Sequence, residues 1–235
     1  MAVAKIGVFN ANVESKGSPP IGGVLDDRTP PVLVITEAYN CRAYLKDCCE
    51  EYGYDLYQYG DNYGEEGSDV AVMVRDSFTV AKCDPMCMDE PWWGPKTGKK
   101  REPRVYPRLL IEDPDLPGDL KWKIVAVHFP PGGPKGGTSS TLHGKNKAAW
   151  MESRDRTIEY GNGHPEGPYL IVGDVNATHD ECAAQFNERL DGPTCVRDLG
   201  KVDHLIGRRV EVETDRIDAP VGHGWGVFHV TSTET

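Results

Sequence analysis

No run of apolar residues in this chain is long enough to span a bilayer, and the opening Met1-Ala2-Val3-Ala4-Lys5-Ile6-Gly7-Val8-Phe9 turns polar too soon for a secretory signal. A cytoplasmic protein is expected. Positive charge is scarce: 26 Lys and Arg stand against 37 Asp and Glu, and the formal net charge of −11 argues against non-specific adhesion to nucleic acid or anionic membrane. It does not exclude chemistry on phosphates, because a cation held by carboxylates inverts the local sign. The cysteines number seven, an odd count that rules out a complete disulfide framework, and Cys83 and Cys87 lack both the spacing of a zinc knuckle and a nearby histidine. Reduced thiols are expected. The glycine-rich stretch 132–137 lacks the Lys-Ser/Thr ending of a phosphate-binding P-loop.

What is present is punctuation: 26 Gly and 18 Pro at an apolar fraction of 38% imply many short strands joined by loops, and no linker divides residues 1–235 into two domains. Strands are expected over 3–9, 31–36, 54–59, 69–75, 105–112, 122–131, 168–177, 202–206 and 222–230. Helices are expected over 39–52, 141–160 and 180–190, and a loop over 15–31. Residues 83–104 read as an insertion, Pro-rich and carrying Trp92-Trp93 before Lys96, Lys99, Lys100, Arg101 and Arg104. Such a loop could stack a base and hold a phosphate backbone, or its Trp pair could pack on the rim of the core.

The stretch Pro168-Tyr169-Leu170-Ile171-Val172-Gly173-Asp174-Val175-Asn176-Ala177 is a buried strand ending in one carboxylate and one amide, two residues apart. That pair suits a water, a metal or a phosphate, and it also suits an Asx-turn. Asn10 and Asn12 repeat the spacing after the first strand, where a simple turn is the other reading. Glu37 ends the second strand and His128 the sixth. Carboxyl ends of strands are where sheet proteins place their sites, although Glu37 could equally favour a helix start and His128 a structural contact.

Taken in order, these strand ends resemble the endonuclease/exonuclease/phosphatase superfamily, to which deoxyribonuclease I and exonuclease III belong. The match rests on Asn10, on Glu37, on His128 in Val-His-Phe-Pro-Pro, on Asp174 and Asn176 in Gly-Asp-x-Asn, on Asp203 and on His223. It departs at the end: the family's Ser-Asp-His is Val221-Gly222-His223 here, and Asp218 is the nearest substitute for the missing carboxylate.

The resemblance implies an α/β (α+β) fold, a four-layer sandwich of two mixed, mostly antiparallel sheets flanked by helices, with the site at one edge. It implies Mg²⁺ or Mn²⁺ as cofactor, held by Glu37 with Asp174 and Asn10, since hard ions take carboxylate and amide oxygens. Asp174 would activate water, Asn10 and Asn176 hold phosphate oxygens, Asp203 orient His223, and His223 and His128 donate to the phosphate or leaving group. The substrate contacts expected are Asn12, Arg108 and Asn176 and, in the insertion, Trp92, Trp93, Lys99, Lys100 and Arg101. The function implied is metal-dependent phosphodiester hydrolysis, a nuclease with DNA ahead of RNA as substrate. A phosphatase of small or lipid phosphoesters and a binding protein with an impaired site are the alternatives, the latter resting on Gly222.

Overall fold

The computed structural model describes residues 4–13, 19–59, 69–94, 98–134, 142–200, 202–217 and 223–234. Its first half runs β1 (Lys5–Asn12), α1 (Ile21–Asp27), β2 (Val32–Thr36), α2 (Arg42–Tyr52), β3 (Tyr54–Gln58), β4 (Val70–Arg75) and β5 (Val80–Cys87). A two-stranded hairpin follows, β6 (Trp92–Trp93) and β7 (Lys100–Arg101), then β8 (Val105–Glu112) and β9 (Lys121–His128). The remainder is α3 (Leu142–Gly163), β10 (Tyr169–Asp174), α4 (His179–Phe186), β11 (Thr194–Gly200), β12 (Asp203–Arg208), β13 (Val210–Ile217) and β14 (Trp225–Ser232).

Two sheets of six strands, ordered β13-β14-β1-β2-β4-β3 and β11-β12-β10-β9-β8-β5, pack face to face. Each has one parallel pair at its centre, β1 with β2 and β9 with β10, and antiparallel partners outward from it. The strands alternate as a sandwich requires. Ile6, Val8, Val32, Val34, Val70 and Val72 share a core with Ile124, Ala126, Leu170 and Val172, whereas Phe9, Ala11, Leu33 and Ile35 turn outward to Ile21, Leu25 and Leu45 of α1 and α2. Trp150 and Phe186 bring α3 and α4 onto the other outer face. The layers are helix, sheet, sheet, helix. No helix among the described residues is long and apolar enough to cross a membrane.

This topology gathers strand ends on one rim. The C-terminal ends of β1, β2, β9 and β10 meet the starts of their antiparallel neighbours β4, β8, β12 and β14, so that Asp174 lies level with both His128 and Asp203. Gly173 makes the closure possible: at φ 140° it lies so near β9 that a Cβ would fall 2.0 Å from the Val127 carbonyl oxygen.

Four departures from the sequence expectations are informative. The segment 15–31 contains α1, despite Gly22 and Gly23, because Ile21 and Leu25 are buried against the sheet and Tyr44 Oη accepts the Gly22 N–H at 3.0 Å. Asn10 to Asn12 continue β1 rather than turning, since Asn12 pairs in register with Thr36. Residues 83–87 belong to β5, leaving 88–104 as the excursion from the sheet. Strands β11 and β13 were not expected, although Val210-Glu211-Val212-Glu213 alternates with buried valines.

Candidate active site

Four carboxylates and one arginine converge on the rim. Asp174, 2% exposed, is fixed by its own turn: Oδ1 accepts the Asn176 N–H at 2.8 Å. Its Oδ2 accepts from Asn12 Nδ2 at 3.4 Å, and the same amide donates to Glu37 Oε1 at 3.2 Å, so Asn12 bridges the two acids. Asn10 Nδ2 donates to Asp203 Oδ1 at 3.4 Å, which leaves the buried Asn10 Oδ1 without a hydrogen-bond partner. Glu37 and Asn176 hold left-handed backbone, φ 57° and 51°. For Glu37 that conformation costs roughly 1–2 kcal/mol, a strain of the kind stored at functional sites.

Each histidine of the rim has its own aspartate. His223 Nδ1 lies 3.3 Å from Asp203 Oδ2, which also accepts the Gly224 N–H at 3.2 Å. His128 Nδ1 lies 2.6 Å from Asp69 Oδ2, with its Nε2 facing Asp174 Oδ2 at 3.7 Å. The two rings are tuned in opposite directions. The hydrogen bond to Asp203 raises the pKa of His223, whereas burial, followed by the nearby Arg104 charge, pushes His128 down to about 4. Burial thus favours the neutral form of His128. Burial likewise pushes Asp174 up to about 6, with His128 opposing and Asp203 adding to the shift.

Arg104 and Asp69 belong to this centre and were missed in the sequence. Arg104, 4% exposed, ion-pairs with Asp69 Oδ2 and acts electrostatically on both Asp174 and Glu37. Asp69 was legible in principle: it immediately precedes the buried strand β4, much as Asp203 opens β12. Arg104 was hidden among the basic residues of the excursion.

Not all of the other expected contacts reach the rim. Arg108 sits opposite Val125 on the helix side of β8, 3.8 Å from Asp84 and with its guanidinium 4.9 Å from the Tyr160 ring, so it does not reach the rim. Trp92 is buried under Arg104, 4.0 Å from guanidinium carbon to ring centre, and has no free face for a base. Trp93 is half-buried, its backbone N–H and C=O both bonded to Asn146, while Lys99, Lys100 and Arg101 are exposed. Asn176 spends one N–H on the Phe129 carbonyl at 2.8 Å. Lys96, Asp218 and Gly222 lie outside the described residues.

The donor set fits a hard divalent cation. Ligand atoms of Asp174, Asp203 and His223 lie within 4.8 Å of one another, Asn10 Oδ1 is an unpartnered buried acceptor, and the four carboxylates outnumber the single arginine. No thiol is part of this set. The ligand atoms gathered for such an ion are those of Asp174, Asp203 and His223, with Asn10 beside Asp203 and Glu37 joined to Asp174 through Asn12.

No family model matches the sequence, and no curated protein does. Solved structures do. The endonuclease/exonuclease/phosphatase from Bacteroides vulgatus superposes with a TM-score of 0.71 at 12% identity, over 97% of this chain and 99% of that one. D. rerio TDP2 complexed with a single-strand DNA product gives 0.65 at 13% identity over 98% and 100% of the two chains. A mannosyl-6-phosphatase from Bacteroides thetaiotaomicron gives 0.64 at 15% identity over 96% and 99%. Likeness at these identities is one of fold, and this chain has the fold of the endonuclease/exonuclease/phosphatase superfamily.

Proposed function

We propose that the protein is a divalent-metal-dependent phosphoester hydrolase whose first substrate class is the phosphodiester of a DNA strand. The observation that carries the reading is the rim itself, where Asp174 stands between two aspartate-held histidines and beside Glu37 and the buried Arg104. A bound Mg²⁺ or Mn²⁺ would offset negative charge on the phosphoryl oxygens. The chain's own groups account for the rest. Arg104 and the remaining amide donor of Asn176 hold phosphate oxygens. Asp174 orients the attacking water and takes its proton, with the Asp69-held His128 ring facing its Oδ2. His223, its Nδ1–H directed to Asp203, donates from Nε2 to the leaving oxygen. A positioned acid or base of this kind contributes about 10² to 10⁴ in rate.

DNA is favoured by the exposed Lys99, Lys100 and Arg101 at the end of the hairpin rooted at Arg104, and by the TDP2 likeness. A small phosphomonoester is the second reading, supported by the burial of Trp92, the remoteness of Arg108 and the net charge of −11. The Lys99→Ala/Lys100→Ala/Arg101→Ala variant separates them. Against single-stranded DNA it should raise KM severalfold and flatten the salt dependence, leaving release of phosphate from a sugar phosphate unchanged. Parent-like cleavage of DNA by this variant, together with faster turnover of the sugar phosphate, would move the assignment to the phosphatase.

A further inference from the structure

The excursion 88–104 leaves the sheet and returns to it at one point, closed by the Met88 N–H donating to the Arg104 carbonyl at 2.9 Å. Between those ends β6 and β7 pair Trp92 with Arg101 and Trp93 with Lys100. The hairpin is not a loose arm. Asn146 of α3, fully buried, accepts the Trp93 N–H at 2.6 Å and donates to the Trp93 and Pro131 carbonyls, both at 3.0 Å. Glu152, six residues along α3, accepts the Asp89 and Glu90 N–H groups, each at 2.8 Å. Pro131 follows the end of β9, so a single amide joins the hairpin, α3 and the backbone just beyond His128.

What this anchored pair of strands delivers to the rim is the face of Trp92. A guanidinium that is 4% exposed has lost its water, and its counter-ion Asp69 is shared with His128. An ion pair to Asp69 holds one nitrogen of the guanidinium, whereas an indole face 4.0 Å from the guanidinium carbon restrains the plane in which its N–H groups lie.

We propose that Trp92 is a positioning residue of the active centre, holding Arg104 in the plane that presents its N–H groups to a phosphoryl group. The inference rests on the assignment of Arg104 as a phosphate-holding group. It gives the hairpin a catalytic purpose that base stacking would not, because the ring is committed to Arg104.

The test compares Trp92→Leu, which keeps an apolar filler and removes the aromatic face, with Trp92→Phe, which keeps a face. Inorganic phosphate is titrated calorimetrically into each Mg²⁺-loaded protein, and kcat and KM are measured on a phosphoester. Trp92→Leu should weaken phosphate binding about tenfold and raise KM in proportion, with Mg²⁺ affinity unchanged, and Trp92→Phe should recover most of the loss. In an Arg104→Met background the Leu substitution should add nothing further. Parent-like phosphate affinity in Trp92→Leu, equal losses in both Trp92 variants, or full additivity with Arg104→Met would each overturn the proposal. A parent that binds phosphate but hydrolyses no phosphoester would refute the proposed reaction and still leave the Trp92 comparison decisive. A parent that binds no phosphate would refute both.

Discussion

Replacing Asp174 by Asn should stabilise the metal-free protein while removing its activity. The carboxyl is 2% exposed and its pKa is raised from 3.8 to about 6, chiefly by burial. At about 1.4 kcal/mol per pH unit, holding it ionised in the fold costs about 3 kcal/mol. That cost is absent below pH 3.8, where the group is protonated both folded and unfolded, and complete above pH 6. An asparagine removes the charge and can still accept the Asn176 N–H, but its amide nitrogen opposes Asn12 Nδ2 and forfeits the 3.4 Å bond. With about 1 kcal/mol subtracted for that bond, the net gain is about 2 kcal/mol, or about 4 to 8 °C in Tm for a chain of this size. The assay is thermal unfolding in EDTA at about pH 8 and about pH 4, where the gain should appear only at the higher pH. Adding Mg²⁺ should reverse the order, since a ligand at a hundred times its Kd contributes about 2.7 kcal/mol to the protein that binds it. An Asp174→Asn protein that melts at or below the parent's temperature in EDTA at pH 8 would refute the reasoning.

Other consequences are as specific. Asp69→Asn leaves Arg104 buried without its counter-charge and should cost about 3–5 kcal/mol, read as a lower urea midpoint, and turnover should fall with it. Arg104→Ala should lower kcat/KM by about 10² or more, whereas Arg108→Ala, outside the rim, should stay within about twofold of the parent. Gly173→Ala forces a Cβ to within 2.0 Å of the Val127 oxygen, so the β9/β10 pairing must open. Its expected signature is lost amide-exchange protection along both strands, and unchanged protection would show that the close approach is not required.

Much of the site could be read from the sequence because the fold repeats one device, a buried strand whose last side chain faces the rim. Glu37, His128 and Asp174 all end apolar runs, and Asp203 opens one. What escaped depends on contacts between distant segments. Arg104 resembles its solvated neighbours until Asp69, 35 positions earlier, and the Trp92 face enclose it. Arg108 and Trp92 carry suitable chemistry, yet strand alternation turns the first toward Tyr160 and the hairpin spends the second on Arg104. Helix α1 was hidden by its two glycines and by the prolines that flank it, a poor propensity offset by burying Ile21 and Leu25.

The most direct test of the central claim is cleavage of supercoiled plasmid, and of a sugar phosphate beside it, by the purified protein with Mg²⁺ or Mn²⁺, with EDTA, and with Asp174→Asn. Hydrolysis of at least one substrate that requires both the metal and Asp174 is the predicted result. Hydrolysis that persists in EDTA, or in a folded Asp174→Asn protein at the parent's rate, would contradict a metal-dependent centre built on Asp174.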